Sequence, residues 1–489
     1  MRISKLKSAF LLILLSLFIQ STLLPAAAAT ASVCRSVFAY QSTQAEWQRL
    51  SQEERYSRRK AEMHTPSRQG VIERRPIIKT SGLRKDAVPD IDPADIKVDT
   101  ADPSLVMPIT YPNGQTKYRI NFSGLRFIEA DSPADLYKPG IRKVRHSRGF
   151  YKDGTEMTGA YHNEAWPWDV VIYKNDAGKW IALGGVMEQA VPGKLPNVRE
   201  NNRTRSRWWG KVSHVQIKPG VYEEHIVWQG PIHDFNISKH QGWKYHGYGG
   251  TLVTQFNPKT GMHEPIKNKR GNYILMYERV IEERNGMPWM TSTFMRDMDP
   301  SLTHTVGPEI EVTNIISPVT GQIFEAFRRG DEKETTGYLR EGDNVLKEKE
   351  HNQYIKAGSG NDYVRKYGIY LDYRDPGRDA QGLFKNVIDE KGQLIDFAST
   401  LKLREIFNGT WVGRPQLSYD PQGKLWLAFH FVPKDSIPPG GPQEGWPSAE
   451  DFPKYARIMA MFPVKFEYDK SRQPLLVKDI DPKYAYKYE

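Results

Sequence analysis

From about residue 108 to the end of the chain, short apolar segments alternate with polar turns. Five stretches share one order of features: a short apolar run, a turn containing Gly, Asn or Asp, and a second run rich in aromatic residues. They begin at or near Asp169, Gly250, Glu309, Glu341 and Gly413. Such turn residues supply the backbone angles of tight hairpins, and aromatic residues favour strands. The pattern predicts an all-β domain over residues 108–489.

The spacing of these stretches is irregular, which argues against a strict repeat of the WD type. Sheets arranged radially around an axis and joined by long loops would produce this order. A pair of β-sandwiches is the competing architecture, because it also needs many short strands separated by turns. The sequence favours the propeller.

The first 107 residues have a different composition. Residues 1–29 show a basic start, an apolar run and an alanine-rich cleavage site, which together predict a secretory signal peptide. An uncleaved membrane anchor is the alternative, since the apolar run is nearly long enough to span a bilayer. Residues 30–107 are interpreted as a short helical or disordered arm, followed by a linker with repeated Pro and Asp at 76–105. We therefore expect a bacterial protein that is either periplasmic or secreted.

Composition narrows the class of protein. Cys34 is the only cysteine, so no intrachain disulfide can form and packing alone must hold the fold. The net charge is +11, and removing the three basic residues of the signal would leave +8. Charges are mixed along the chain without a basic helix or nucleic-acid motif. We therefore expect no nucleic-acid partner, no membrane span after signal cleavage and a monomer.

Four motifs occur in an order that resembles the five-bladed β-propeller glycoside hydrolases of family 43 and their fructan-active relatives. They are PWDVVIYKNDAGKWIAL from residue 167, LREGDNVLKEKEHNQYIKAGSGNDYVRKYGIYLDYR from 339, GRPQLSYDPQGKLWLAFHF from 413 and ARIMAMFPVKFEYDKSRQPLL from 456. In that group the first blade begins with an Asp, a later blade begins with a Glu, and a late blade carries a Gly-His pair. The resemblance covers roughly residues 160–475 and implies a five-bladed propeller that acts on carbohydrate.

The resemblance assigns chemistry to two carboxylates. Asp169 matches the first-blade aspartate, which is the general base in inverting members and the nucleophile in fructan-active members. Glu341 matches the general acid. Cleavage of a glycosidic bond needs such a pair on opposite faces of the sugar, with the pKa of the acid raised. The alternatives are an ordinary Asp at a strand start and an exposed Glu in a charged stretch.

The sequence also departs from this family. The third carboxylate, an Asp near the start of the second blade, has no clean match, although Asp234 could substitute for it. The late histidine is replaced by Arg414, whose planar guanidinium suits the carboxylate of an acidic sugar. An arginine at a strand edge is the alternative. A structural Ca²⁺ occurs on the axis in the family, but the arginine argues against it, and we expect neither a metal nor an organic cofactor.

Other residues are candidate ligand contacts. Trp166, Trp168, Tyr363 and His430 are expected, with the arginine, to contact the sugar. Packing between blades is the alternative for the two tryptophans, and packing within its loop is the alternative for Tyr363. Two further aromatic residues, Trp208 and Trp209, follow a charged stretch that suggests an exposed loop. Three histidines, His233, His240 and His246, could bind a transition metal, but their spacing fits no known site.

The sequence favours a glycoside hydrolase or transglycosidase-like protein acting on a carbohydrate. A non-catalytic propeller that binds a glycan or an envelope partner is the main alternative, which the missing third carboxylate favours. A structural envelope protein, docked through the N-terminal arm, is a third possibility. The chain contains no Gly-rich phosphate loop, no GxSxG elbow and no HExxH motif.

Overall fold

The structure is a computed structural model, and it describes fourteen ranges of the chain. These are residues 90–91, 100–137, 141–142, 144–157, 167–189, 203–233, 245–246, 249–281, 290–312, 339–361, 367–376, 384–392, 394–434 and 457–479. The signal segment and most of the N-terminal arm lie outside them, as do Trp166, Asp234, His240 and Tyr363. For Glu341 and His246 only the backbone is described.

Five mainly antiparallel sheets follow one another between Met107 and Lys478. A short parallel pair, β1 (Asp90–Ile91) with β5 (Ile141–Arg142), lies outside them. Blade 1 contains β2 (Met107–Thr110), β3 (Thr116–Phe122), β4 (Arg126–Ala130) and β6 (Arg145–His146). A 3₁₀ helix at Pro133–Tyr137 follows β4.

Blade 2 is the longest sheet. It contains β9 (Trp168–Lys174), β10 (Trp180–Gln189), β11 (Arg203–Lys218) and β12 (Val221–Pro231). Two short strands, β7 (Arg148–Phe150) and β8 (Glu156–Met157), extend its outer edge, and β13 (Tyr245–His246) pairs with β11.

Blades 3, 4 and 5 repeat the four-stranded plan. Blade 3 contains β14 (Thr251–Leu252), β17 (Tyr273–Ile281), β18 (Met290–Met298) and β19 (Thr305–Glu311). Blade 4 contains β20 (Leu339–Lys347), β21 (Tyr354–Asn361), β22 (Tyr367–Arg374) and β23 (Lys385–Asn386), with the hairpin of β15 (Thr254–Asn257) and β16 (Met262–Pro265) beside β20. Blade 5 contains β24 (Gly409–Tyr419), β25 (Leu425–Pro433), β26 (Ile458–Tyr468) and β27 (Pro474–Lys478).

Two helical turns, α1 (Phe397–Thr400) and α2 (Leu403–Ile406), connect blades 4 and 5. The carboxylate of Asp396 caps α1 by accepting a hydrogen bond from the amide of Ala398. Within the described ranges, none of the helices has the length and apolarity needed to cross a bilayer.

The first strand of each blade lies innermost. A cleft is lined by β9, β14 and β24 together with the residues just before β2, so the strands of four blades meet there. The first strand of blade 4, β20, contacts both β14 and β24. The residues that open β9 and β14, those just before β2, and residues 414–416 of β24 are therefore brought together at the propeller axis.

Apolar clusters fill all five interfaces between blades, which closes the ring. The interface between blades 5 and 1 shows this most directly, because Trp426 and Met461 of blade 5 pack with Ile120 and Ile128 of blade 1. The amide of Thr100 also donates a hydrogen bond to the carbonyl of Arg457, at 2.9 Å. A closed ring leaves only short outer edges exposed, which removes the usual liability of an open sheet.

The all-β, five-bladed propeller predicted from the sequence is confirmed. Its first blade lies upstream of the region in which the motifs were recognised. Residues 100–105, which the Pro and Asp pattern assigned to the linker, are buried in the propeller, and Ala101 is 0% and Leu105 1% exposed. The strands of blade 1 are short and turn residues dominate the local composition, so these strands cannot be recognised from the sequence pattern alone.

Candidate functional site

The axial cleft is small and polar. Its described walls enclose about 30 Å³, which is room for about two water molecules. The lining residues are Asp102, Pro103, Ser104, Asp169, Val171, Gly250, Thr251, Arg414, Pro415 and Gln416. Blades 1, 2, 3 and 5 all contribute to this set.

One guanidinium joins two carboxylates at the centre of the cleft. Arg414 Nη2 donates to Asp169 Oδ2 at 2.8 Å, and Arg414 Nε lies 3.2 Å from Asp102 Oδ1. The side chains of Arg414 and Asp102 are 8% and 6% exposed, while that of Asp169 is 13% exposed. Charge-assisted bonds of this kind are stronger than neutral ones, so the three side chains fix each other's positions.

Asp102 has further polar partners. The hydroxyl of Ser123 donates to its Oδ2, and Arg457 Nη1 lies 3.8 Å from its Oδ1. The amide of Asp102 lies 3.2 Å from His430 Nδ1, and the same ring nitrogen lies 3.4 Å from Asp102 Oδ1. Burial alone would raise the pKa of Asp102, but Arg457, Arg414 and His430 outweigh it and hold the pKa well below its ordinary value. Asp102 is therefore ionised at physiological pH.

The backbone at this cleft adopts a conformation that L-residues avoid. Asp102, Asp169 and Arg414 have φ values of 59°, 50° and 52°. Each left-handed non-glycine residue costs on the order of 1 kcal/mol, and such residues concentrate at functional sites. Three of them on three blades, all lining one cleft, indicate that the positions of these side chains matter more than local stability.

Bulges occur at the same level of three innermost strands. The β9–β10 register shifts between Leu183 and Gly185, beside Asp169. The β24–β25 register shifts on either side of Gly413, next to Arg414. The β20–β21 register shifts between Glu341 and Asn344. A bulge bends a strand and redirects its side chains, so these irregularities belong with the strained backbone of the cleft.

The backbone of Glu341 lies beside this group. Glu341 is directly opposite Ser359 in the β20–β21 ladder. The hydroxyl of Ser359 accepts a hydrogen bond from the amide of Arg414. Opposed residues in an antiparallel pair are about 5 Å apart between Cα atoms, which brings the Glu341 backbone to the edge of the cleft.

Gly250, which lines the cleft, packs closely against the backbone of β17. Its φ is +105°, and a Cβ would lie 2.0 Å from the carbonyl oxygen of Met276 and 2.5 Å from the Cα of Tyr277. We expect Gly250→Ala to lower the free energy of unfolding by roughly 2–4 kcal/mol, because it combines backbone strain with overpacking. Urea unfolding measures the change.

Gly220 is the matched control for that substitution. Its φ of +74° is also left-handed, but a Cβ there would meet no atom within 4 Å. Gly220→Ala should therefore cost only the conformational strain, about 1 kcal/mol. Equal losses at the two positions would contradict the close packing beneath the cleft.

The structure distributes the other candidate residues differently. Trp168 is 9% exposed and packs in the apolar cluster between blades 1 and 2, and it is not among the residues that line the described cleft. His430 is fully buried behind Asp102. Trp166, Asp234 and Tyr363 lie outside the described residues, so their sugar-contact and catalytic assignments stay predictions.

Asp102 was missed by the sequence analysis, although a signal for it exists. The five stretches recognised from Asp169 onward supply only four blades, because the stretch that begins at Glu309 starts within the last strand of blade 3, so a five-bladed propeller requires one more group upstream. Asp102 stands just before the first strand of that blade, and Asp169 opens the second blade. A carboxylate at the start of the second blade, for which no match had been found, is therefore present.

Potential metal ligands occur away from the cleft. Among the described residues, Glu348, Glu350 and His351 could share an ion at the turn that follows β20. Glu348 already accepts hydrogen bonds from the amides of the other two, which accounts for its buried position as a turn cap. His233 is buried, with Nδ1 3.2 Å from Thr305 Oγ1.

No family model matches the chain, and no curated protein matches it. Solved structures do match. A thermostable family-43 glycoside hydrolase is 11% identical, with 75% of this chain and 90% of that chain covered and a TM-score of 0.42. A family-43 endo-arabinanase from Bacillus licheniformis is 13% identical over 77% of this chain and 97% of its own, with a TM-score of 0.37. An endo-1,4-β-xylanase from Bacteroides thetaiotaomicron is 13% identical over 78% and 95%, with a TM-score of 0.37. The chain is thus similar in structure to five-bladed glycoside hydrolases and divergent from them in sequence.

Proposed function

We propose that this chain is an exported glycoside hydrolase or transglycosidase that binds a carbohydrate at the propeller axis. The observation that carries the proposal is the meeting of Asp102 and Asp169, from successive blades, at the guanidinium of Arg414. Each of the three has a left-handed backbone. Strain of this kind persists only where the surrounding structure enforces it, and it is typical of catalytic and ligand-binding positions.

Three acidic residues supply the chemistry. Asp102 takes the role that the sequence analysis gave to Asp169, because Asp102 precedes the innermost strand of the first blade. Ionised and buried, it is suited to activate water or to stabilise the positive charge of an oxocarbenium-like state. Glu341 is proposed as the general acid, and Asp169 as the second anion beside the sugar.

The ion pairs of Arg414 set a condition on this chemistry. Two guanidiniums, those of Arg414 and Arg457, lower the basicity of Asp102 in the structure as it stands. A bound sugar whose oxygens accept hydrogen bonds from Arg414 would weaken its contacts with both carboxylates. The pKa of Asp102 would then rise toward the range in which a general base works well.

The same ion pairs favour a second candidate function. Arg414 already engages both carboxylates that line the described cleft, which suits a propeller that binds glycan without cleaving it. In that case the carboxylates position the arginine, and the arginine provides the recognition.

A substrate panel separates the two candidates. The purified chain is incubated with chromogenic pentosides and fructosides and with arabinan, xylan and levan, and released chromophore or reducing ends are followed. Wild type is expected to hydrolyse at least one substrate. Asp102→Asn and Glu341→Gln should lower kcat by about 10²–10⁴, the usual contribution of acid–base groups.

Binding is measured in parallel by calorimetry with the same sugars. Glu467→Gln in β26 is the control, because this exposed residue pairs with Lys465 and does not line the cleft. Unchanged turnover in both axial variants would contradict the hydrolase proposal. Sugar binding that persists without turnover in wild type would establish the second candidate.

A further inference from the structure

Arg207 is a buried charge that the proposed mechanism does not use. It lies in β11, directly opposite Gly185 of β10, and Gly185 in turn pairs with Trp168, the neighbour of Asp169. Arg207 is 0% exposed. Because Gly185 has no side chain, no side chain of β10 stands between Arg207 and β9 at this level.

Strand alternation places Arg207 and Asp169 on one face of blade 2. Trp209, two residues after Arg207, packs against the apolar cluster between blades 2 and 3. Val171, two residues after Asp169, belongs to that same cluster. The chain neighbours of the two charges, Trp168 and Val170 beside Asp169 and Trp208 beside Arg207, pack against the cluster on the other face, between blades 1 and 2. Both charges therefore lie on the side of blade 2 that meets blade 3.

The surroundings of Arg207 are unusual for a guanidinium. Among the residues that the structure describes, none accepts a hydrogen bond from its Nε, Nη1 or Nη2. Burial lowers its pKa, whereas Asp169, Tyr173 and Glu278 raise it, with Asp169 the strongest of these three. A buried charge needs compensation, and the principal acidic neighbour of Arg207 is the carboxylate that also binds Arg414.

The two arginines differ in what they can reach. Arg414 lines the cleft and bonds two carboxylates, so a ligand in the cleft can compete for it. Arg207 is fully buried behind the cleft wall and can interact with Asp169 but not with a ligand in the cleft.

We propose that Arg207 is a positioning residue for Asp169, a fixed counter-charge that holds this carboxylate when Arg414 turns to the bound sugar. The counter-charge role of Arg207 does not depend on the proposed function, whereas the release of Arg414 to a sugar rests on it. In this arrangement Asp169 has two guanidinium neighbours: Arg414, which recognises the ligand, and Arg207, which stays in place when the ligand binds.

The test uses urea unfolding of the full chain and needs no substrate. In an Arg414→Met background, Arg207 is the guanidinium that remains beside Asp169 among the residues that the structure describes. Asp169→Asn should therefore still lower the urea midpoint clearly in that background. No shift of the midpoint would overturn the proposal, and this arm does not depend on any substitution of Arg207.

A second arm changes Arg207 itself. In the Arg414→Met background, Arg207→Lys keeps the charge and should keep most of the stability, whereas Arg207→Met should lower the midpoint and make it insensitive to a further Asp169→Asn substitution. Arg119→Met is the matched control, because Arg119 is equally buried but pairs with Glu224 of β12 at 2.7 Å. Its effect should add to that of Asp169→Asn, as expected for independent sites.

The outcomes separate this inference from the proposed function. Additive losses for Arg207→Met and Asp169→Asn, or no rescue by lysine, would overturn the positioning role even if the chain hydrolyses a sugar. Non-additive losses with lysine rescue would support it even if the substrate panel shows no turnover.

Discussion

Asp102→Asn is expected to lower the free energy of unfolding by about 3–5 kcal/mol at neutral pH, the range found when one partner of a buried ion pair is removed. The asparagine keeps the volume of the side chain and can still accept a hydrogen bond from Ser123. It no longer balances Arg414 and Arg457, whose side chains are only 8% and 10% exposed. Urea unfolding at several pH values measures the loss.

The pH dependence of that loss follows from the direction of the pKa shift. The folded state holds the pKa of Asp102 below its ordinary value of 3.8, so its stabilisation is complete above that value. The stabilisation fades as the pH falls through the folded-state pKa. The wild-type and Asp102→Asn curves should therefore run parallel between about pH 6 and 8 and converge below about pH 5.

Asp131→Asn is the control for this prediction. It makes the same chemical change in an ion pair with Lys117, but the Asp131 side chain is 77% exposed. Exposed pairs contribute about 0–1 kcal/mol, so a small loss is expected there. An Asp102→Asn variant as stable as wild type at pH 7 would show that Arg414 and Arg457 do not depend on this carboxylate.

The overall fold could be predicted because its signals are local. Hairpin turns with Gly, Asn or Asp and flanking aromatic residues specify each blade within about 60 residues, as in the stretch from Asp169 to Pro231. Blade 1 lacks that signal. Its first strand, β2, has four residues and contains Pro108, so local composition indicates a turn where long-range packing creates a strand.

The charged stretch before Trp208 shows how packing overrides composition. It suggested an exposed loop, and paired tryptophans there suggested a ligand contact. The structure places both in β11, where Trp208 packs in the cluster between blades 1 and 2 and Trp209 in the cluster between blades 2 and 3. A strand covered on both faces buries consecutive apolar residues, and no local pattern distinguishes this from an exposed aromatic pair.

The candidate site could be predicted only in part. Asp169 and Arg414 were both identified from sequence, but their contact joins residues 245 positions apart. Spacing along the chain carries no information about such a contact until the ring is closed. Asp102 was hidden by its Pro-rich context, and Arg207 by its charged neighbours, so the charges around Asp169 required the structure.

Lys356→Met is the second substitution with a large expected effect. Lys356 and Asp372 face each other across β21 and β22, both side chains are 0% exposed, and Nζ lies 2.9 Å from Oδ2. Removing the ammonium leaves a carboxylate buried in the interface between blades. We expect the free energy of unfolding to fall by about 3–5 kcal/mol, measured by urea unfolding at neutral pH.

The double variant Lys356→Met/Asp372→Leu tests the reason for that loss. Replacing both charges by apolar groups removes the uncompensated anion, so the double variant should be more stable than Lys356→Met alone. It should still be less stable than wild type, because Thr293 and Asn386 each lose a hydrogen-bond partner. Lys465→Met, at a 53% exposed lysine, should not shift the urea midpoint. A double variant less stable than the single one would mean that packing around Asp372, and not its charge, determines the cost.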